Sequence, residues 1–221
     1  MHVTSSLSDR LRTETSAMHR LAERSGVMRL ILRGQVDRDT YVDLMRNLYE
    51  VYVALEAALA RYTDDPVIHP FVDTALVRVP SMAHDLELLG GAAWQARPVS
   101  GAAAAYARRI DDATPERLVA HAYVRYLGDL SGGQALRGVL ARAVGPIAQD
   151  ALTFYDFPGI ADLTDYKNRF RASLDALPLG PDAITDVVTE AVKAFGLNVS
   201  LFEAVSTRTT SSDAPHPPLD A

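Results

Sequence analysis

Apolar residues recur at helical spacing along most of this chain. The first predicted helix spans residues 6 to 25, and its apolar side carries Leu7, Leu11, Met18, Leu21 and Ala22. A second helix is predicted from about residue 40 to Tyr62, after the capping stretch Asp37-Arg38-Asp39. Further helices are predicted at about residues 81–89, 101–111, 114–145, 163–177 and 182–205. No segment of any length alternates with the period of a β-strand, which predicts a single all-α domain.

The helix predicted to begin at Thr114-Pro115 contains an unusual interior. Gly128, Gly132 and Gly133 interrupt it, and each glycine costs roughly 1 kcal/mol relative to alanine at such a position. Glycine lets a helix bend and lets a flat molecule lie against its backbone. Beside this bare strip, Arg125 and Asp129 stand four residues apart and therefore on one stripe. A solvated surface ion pair is the alternative interpretation of that pair, but it leaves the glycines unexplained.

Composition limits the possible functions. The chain has 221 residues, a formal net charge of -6 and no cysteine. Thiolate metal sites, disulfides and cysteine nucleophiles are therefore excluded, and the net charge argues against nucleic-acid binding through a broad basic surface. The N-terminal residues lack a signal-peptide pattern and no apolar run could span a bilayer, so a cytoplasmic location without a membrane anchor is expected. Residues 1–206 are predicted to form the domain, and 207–221, rich in Thr, Ser and Pro, a disordered tail.

Several familiar catalytic patterns are absent from the sequence. No Glu-x-x-His or His-Glu-x-x-His occurs, and Gly-x-Ser-x-Gly is also missing. Arg12, His19 and Glu23 share one helical face, where they form either a ligand site or an ordinary solvated boundary. Lys167 and Arg171 share another face, which is either solvated or a clamp for a carboxylate-bearing ligand.

Three stretches, residues 13–23, 48–56 and above all 120–134 (Ala-His-Ala-Tyr-Val-Arg-Tyr-Leu-Gly-Asp-Leu-Ser-Gly-Gly-Gln), resemble the heme oxygenases. The similarity continues through residues 154–160, 166–171 and 191–203. It implies an all-α fold in which heme lies between a proximal helix and a distal helix kinked at its glycines. Animal members often carry a C-terminal membrane anchor. No such anchor is expected here, so the chain resembles the soluble bacterial members.

The resemblance also assigns roles to single residues. It implies that His19 is the iron ligand and that Glu23 orients its imidazole. It places Asp129 in a distal network that holds a water molecule, together with Arg125 and Tyr52. The remaining expected contacts are with the macrocycle, from Gly128, Gly132 and Gly133, and with the heme propionates, from Arg12, Tyr123, Lys167 and Arg171. Ser16 stands where animal enzymes often have Lys, so the propionate clamp is expected to be thinner.

The function implied by the resemblance is a heme-degrading monooxygenase. Heme b would be both cofactor and substrate, and O2 with electrons from an external donor would give biliverdin, carbon monoxide and ferrous iron. A ferredoxin or a flavoprotein reductase would supply the electrons, docking near Arg20 and Arg24. The alternatives are a non-catalytic heme carrier on the same fold and, more distantly, a helical enzyme acting on another small molecule.

Overall fold

The computed structural model describes residues 5 to 212, and in that range the chain is helical and contains no strand. The α-helices are α1 (Leu7–Glu14), α2 (Ser16–Glu23), α3 (Gly26–Leu32), α4 (Arg38–Arg61), α5 (Val79–Gly90), α6 (Gly101–Asp111), α7 (Pro115–Ala122), α8 (Gly128–Val144), α9 (Leu163–Asp175) and α10 (Pro181–Ser212). Short 3-10 turns connect several of them, at His69–Phe71, Thr74–Leu76, Trp94–Ala96, Gly145–Gln149 and Thr153–Tyr155.

Two long helices form the scaffold of the domain. Helix α4 packs against α5, α6 and α7, and its side chains Tyr41, Tyr52 and Leu55 are fully buried. Helix α10 packs across α2, α3, α6 and α7. Because α10 contacts both α2 and α7, it fixes the gap between the N-terminal helices and the long glycine-containing helix. The predicted all-α domain is confirmed.

Side-chain caps start several helices where the sequence offers them. Asp37 accepts a hydrogen bond from the backbone N–H of Thr40 at 2.7 Å, and Ser100 accepts one from Ala103 at 3.1 Å. Asp162 accepts from the N–H groups of Thr164 and Asp165 at 2.7 and 3.0 Å, and these bonds lower the pKa of its carboxyl. These caps satisfy backbone N–H groups that would otherwise lack a partner in the first turn of each helix.

The N-terminal region differs from the prediction in two ways. The helix expected over residues 6–25 is two helices, α1 and α2, because Thr15 turns the chain between them while its hydroxyl donates to the Leu11 carbonyl at 2.7 Å. Helix α3 was not predicted. It begins at Gly26, which has a φ of +43° and whose N–H donates to Glu203 at 2.8 Å, a partner 177 residues away.

Residues 115–144 form one continuous helix, referred to as the rod, whose winding changes partway along its length. Helix α7 passes into a π-helix at Tyr123–Leu127, and α8 then runs as regular α-helix from Gly128 through the other glycines. The irregular turn therefore lies just before Gly128, and the kink expected at the glycines themselves stays a prediction. A π segment places its side chains differently from an α-helix and is frequent at functional sites. Here it carries Arg125.

The C-terminal end is longer than predicted. Helix α10 extends to Ser212, beyond the expected end near residue 205, so residues 207–212 of the expected disordered tail are helical. Residues 213–221 of that tail lie outside the described residues. Among those described, no helix combines the length and apolar character needed to cross a membrane.

The segment after α8, predicted as an ordered loop over 154–160, is fastened by two buried charged residues. Asp85 accepts hydrogen bonds from the backbone N–H groups of Thr153 and Phe154, both at 2.9 Å. Arg78 donates to the carbonyls of Phe154 and Asp156 at 3.2 and 2.5 Å. These contacts hold Tyr155 against the distal rod, where Gln134 donates to its carbonyl at 3.0 Å.

Candidate active site

A cleft lies between α2 on one side and the π-helix with α8 on the other, with α10 at its back. It consists of two adjoining cavities of about 360 and 410 Å³. Residues that line both are His19, Val124, Gly128, Ser131 and Phe195. The two cavities are therefore parts of one elongated space with His19 near its middle.

His19 projects into the cleft from α2. Its Nδ1 lies 3.5 Å from Glu23 Oε1, one helical turn further along, and its ring meets the edge of Phe195 with 5.5 Å between ring centroids. The side chains of His19 and Glu23 are about half exposed, at 53% and 50%. Because the carboxylate approaches Nδ1, Nε2 is the nitrogen left to bind a metal held in the cleft.

The opposite wall of the cleft is backbone. A Cβ built on Gly128 or Gly132 would meet nothing within 4 Å, so both positions open onto the cavity. Gly133 differs, because its Cβ would lie 3.2 Å from the ring of Tyr155, and the residue lines neither cavity. Two glycines therefore leave room for a flat group, while the third allows α8 to pack against the fastened 153–157 segment.

A buried hydrogen-bond network stands beside the glycine strip. Tyr52, from α4, donates to Asp129 Oδ2, and Arg125 Nη2 lies 3.4 Å from Asp129 Oδ1. Arg125 also donates to the Tyr52 hydroxyl, at 3.2 Å from Nε and 2.9 Å from Nη2, and to Asn198 Oδ1 at 2.9 Å. Asn198 Nδ2 in turn reaches the Tyr106 hydroxyl at 3.5 Å. The network joins α4, the rod and α10.

Burial changes the protonation of this network. It raises the pKa of Asp129, although the Arg125 guanidinium and the Tyr52 hydrogen bond pull in the opposite direction. Burial lowers the pKa of Arg125, but the neighbouring oxygens of Tyr52 and Asp129 outweigh it and raise that pKa overall. The result is a fixed cation beside a carboxyl that takes up a proton more readily than a solvated aspartate does.

The two ends of the cleft have opposite character. The end near α1 and α9 is cationic, with Arg12, Arg20 and Arg171 around Tyr123. The other end is lined largely by apolar side chains, namely Met28, Leu32, Leu44, Leu48, Leu136, Phe154 and Phe202. An amphiphilic planar ligand with carboxylates at one edge fits such a space, with its carboxylates at the arginines.

The structure brings together most of the residues predicted for the site. Those lining the cleft are Arg12, His19, Glu23, Tyr123, Arg125, Gly128, Asp129, Gly132 and Arg171, and Tyr52 supports Asp129 from behind. Lys167 and Gly133, which were expected to contact the cofactor, line neither cavity. The sequence interpretation did not single out Phe195 or Asn198, although both fall in the stretch 191–203 that carries the resemblance.

The potential metal ligands in the cleft suit a metal that is already coordinated by an organic cofactor. No cluster of three or more His, Asp or Glu side chains that could hold a bare ion occurs among residues 5–212. A single histidine facing a glycine wall instead fits a metal whose other positions are filled by a planar macrocycle. The Arg125–Asp129 pair is buried, so the surface ion pair considered above does not apply: the two side chains are only 10% and 9% exposed.

Comparison with known proteins agrees with this geometry. The family model described as heme oxygenase matches residues 5–204. The chain is 39% identical over 208 residues to the heme oxygenase of Porphyra purpurea, covering 92% of this chain and 88% of that protein. It is also 39% identical over 203 residues to human heme oxygenase 1, covering 89% and 70% of the two chains.

Solved structures have the same fold. The heme oxygenase of Leptospira interrogans superposes with a TM-score of 0.85 at 35% identity, covering 90% of this chain and 99% of that one. Heme oxygenase-1 from Synechocystis, solved in complex with heme, gives 0.86 at 34% identity over 94% and 96%. The chain therefore belongs to the heme oxygenase family, and heme degradation is its enzymatic function.

Proposed function

We propose that this chain converts heme, with O2 and electrons from an external donor, into biliverdin, carbon monoxide and ferrous iron within the cleft between α2 and the rod. The observation that carries the proposal is the buried Tyr52–Arg125–Asp129 network standing beside a bare glycine wall and opposite His19. A site that only stored heme would need the histidine and the apolar walls, but not a preformed acid network at the cleft.

Binding is the task of four features already described. His19 Nε2 would hold the iron, with Glu23 near Nδ1 to keep the ring orientation. The backbone at Gly128 and Gly132 would lie against the macrocycle. The apolar end would cover its hydrophobic edge, and Arg12 and Arg171 at the other end would bind the propionates. When bound, the heme supplies the iron centre that takes up O2 and electrons.

Proton handling falls to Asp129. Its carboxyl borders the cleft, and Tyr52 and Arg125 restrict its rotation, so it can position a water molecule at a fixed place beside the glycine wall. Because burial raises its pKa, it can exchange a proton with that water nearer to neutral pH than a solvated aspartate can. Arg125 keeps a positive charge beside it throughout. Asn198 fixes the guanidinium from the side away from Asp129.

The electron donor is a protein with an acidic surface. Residues 1–33 contain six arginines and three acidic side chains, a formal charge of +3, so the rest of this -6 chain carries -9. Arg29 lies on α3, and Arg24 and Arg33 directly follow α2 and α3; all three are exposed. A ferredoxin or an acidic flavoprotein docking there would stand about one helix diameter from the heme.

The test is a turnover experiment that is monitored by visible absorption spectroscopy. Purified protein is loaded with hemin and supplied with a ferredoxin–reductase system, oxygen and catalase. Decay of the heme band with formation of a bilin and trapped carbon monoxide is the expected result. A heme complex that stays intact, despite confirmed reduction of its iron, would contradict the proposal and identify a carrier.

A further inference from the structure

Three arginines surround the cationic end of the cleft, but they are not equally available to a ligand. Arg12 already pairs with Asp9, at 3.1 Å from Nη2 to Oδ1. Arg171 contacts the neutral amide of Asn168 at 3.3 Å. Arg20 makes no ion pair with another described residue, and it is exposed at the cleft mouth. The free charge at this end is therefore held by Arg171 and Arg20.

Two nearby carboxylates reduce the net positive charge at this end of the cleft. Asp9 offsets Arg12, and Asp175 approaches through Ser8, whose N–H and hydroxyl donate to it at 2.7 and 2.9 Å. A ligand bearing two carboxylates brings two more negative charges to the same end. Arg171 is one unpaired cation for two carboxylates, so a second unpaired cation at this end would strengthen binding.

Ser16 does not supply that cation. Its hydroxyl donates to the Thr13 carbonyl at 2.8 Å and so serves the junction between α1 and α2. Arg20 lies four residues after Ser16, one helical turn along the same stripe of α2, and both line the cationic end of the cleft. The long guanidinium side chain can therefore reach the space that the serine leaves.

We propose that Arg20 binds a heme propionate and completes the carboxylate clamp with Arg171 and Arg12. This assignment separates Arg20 from Arg24, its neighbour one turn further along α2. Arg24 is equally exposed but lines neither cavity, so it remains on the docking surface. This inference rests on the proposed function, in which heme is the ligand. It adds a residue that holds the propionate edge of the heme.

The test compares two ligands, heme and heme dimethyl ester, in which both carboxylates are blocked. Dissociation constants are measured by ferric spectral titration, without donor or oxygen turnover, for the parent protein, Arg20→Ala and the matched control Arg24→Ala. We expect Arg20→Ala to weaken heme binding by about 3- to 10-fold, the range of an exposed to half-buried charged contact. It should leave the affinity for the ester unchanged, and Arg24→Ala should change neither.

The outcomes distinguish this inference from the proposed function. Equal losses for heme and ester, or no loss for heme in Arg20→Ala, would overturn the role of Arg20 while the parent still bound heme. A parent protein that failed to bind heme would instead overturn the proposed function. Arg20→Lys adds a second check, because it keeps the charge and should recover much of the heme affinity without affecting the ester.

Discussion

The two walls of the cleft are built in opposite ways. On α2, the side chains of His19 and Glu23 are about half exposed, and their Nδ1–Oε1 distance is a long 3.5 Å. On the rod, the side chains of Arg125 and Asp129 are about nine-tenths buried, and they bond to each other and to two side chains from other helices, Tyr52 of α4 and Asn198 of α10. One wall is open and loosely held, while the other is closed and fully connected.

The difference follows from what each wall must do. A histidine that ligates iron gains its missing contacts from the ligand itself, so it can remain exposed until heme arrives. A carboxyl that positions water for proton transfer must be held before reaction, because reorganising a polar site during chemistry costs activation energy. The proximal wall is thus completed by binding, and the distal wall is completed by folding.

The largest effect is expected from removing His19, the proposed proximal ligand. His19→Ala should lower bilin formation by more than the roughly 10- to 100-fold typical of losing an outer-sphere partner of a metal ligand. Its effect on the free energy of unfolding of the apoprotein should stay within about 0.5 kcal/mol, because the side chain is half exposed. The electronic and EPR spectra of the heme complex report the axial ligand, and added imidazole should restore its signature. An unchanged spectrum would exclude His19 as the ligand.

Next in size is the loss of the distal carboxyl. Asp129→Ala should reduce the bilin formed per heme consumed by about 100-fold, at the lower end of the contribution of a positioned acid or base. Heme affinity should change by less than about 3-fold, since the carboxyl belongs to the network and not to the binding contacts. Single-turnover product analysis and a spectral titration measure the two quantities. Bilin formation at the parental rate would show that Asp129 has no part in proton handling.

A smaller effect is expected at the glycine wall, where binding and stability should change in opposite directions. Gly132→Ala places a methyl group into open space, so it should stabilise the apoprotein by about 0.5–1 kcal/mol while weakening heme binding by about 10-fold. Gly138→Ala is the matched control: it lies on the same helix and also opens onto free space, but outside the cleft. It should give the stability gain alone. Unaltered heme affinity in Gly132→Ala would place the macrocycle elsewhere.

The smallest effect on heme chemistry is expected from the residues behind the distal wall. Behind Asn198 and Tyr106, His121 Nε2 lies 3.3 Å from Glu190, which Arg109 holds through two hydrogen bonds of 2.7 and 2.5 Å. Burial is the largest single influence on Glu190 and opposes its ionisation, but the interactions with Arg109 and His121 together outweigh it and lower the pKa to about 2. Glu190→Gln should therefore cost about 1–3 kcal/mol of unfolding free energy at pH 7.

The pH dependence of that cost gives the check. Because the folded pKa of Glu190 lies below the ordinary 4.5, its stabilisation is complete above pH 4.5 and is lost as the pH falls toward about 2. Urea unfolding of the parent and Glu190→Gln proteins from pH 7 to pH 3 should show the two free energies converging on acidification. A difference that stayed constant with pH would mean that the ionised carboxylate is not its source.

The sequence predicted the long helices well because their signals are local. Helix α6 begins and ends where its alanine-rich stretch predicted, and α4 has the capping aspartate that marked its start. The four-residue spacing of Gly128 and Gly132 also predicted that both lie on one side of the helix, as the structure has them.

What the sequence did not predict depends on distant partners. The start of α3 needs Glu203 to accept from Gly26, and the packing role of Gly133 needs Tyr155, so neither can be derived from neighbouring residues. The role of Asn198 depends on its hydrogen bond with Arg125, which is distant in sequence, so nothing in the neighbouring residues of α10 indicates it. Lys167 shares a face of α9 with Arg171 but does not line the cleft, so its expected contact with a propionate stays a prediction.

Hydrogen–deuterium exchange of the apoprotein and its ferric heme complex tests the difference between the walls most directly. We predict that heme slows exchange strongly in α2, residues 16–23, because binding covers an exposed helix. Segment 118–127, which carries Arg125, should change little, since its network is already formed. Protection gained mainly in 118–127, with α2 unaffected, would contradict the conclusion that folding completes the distal wall and heme completes the proximal one.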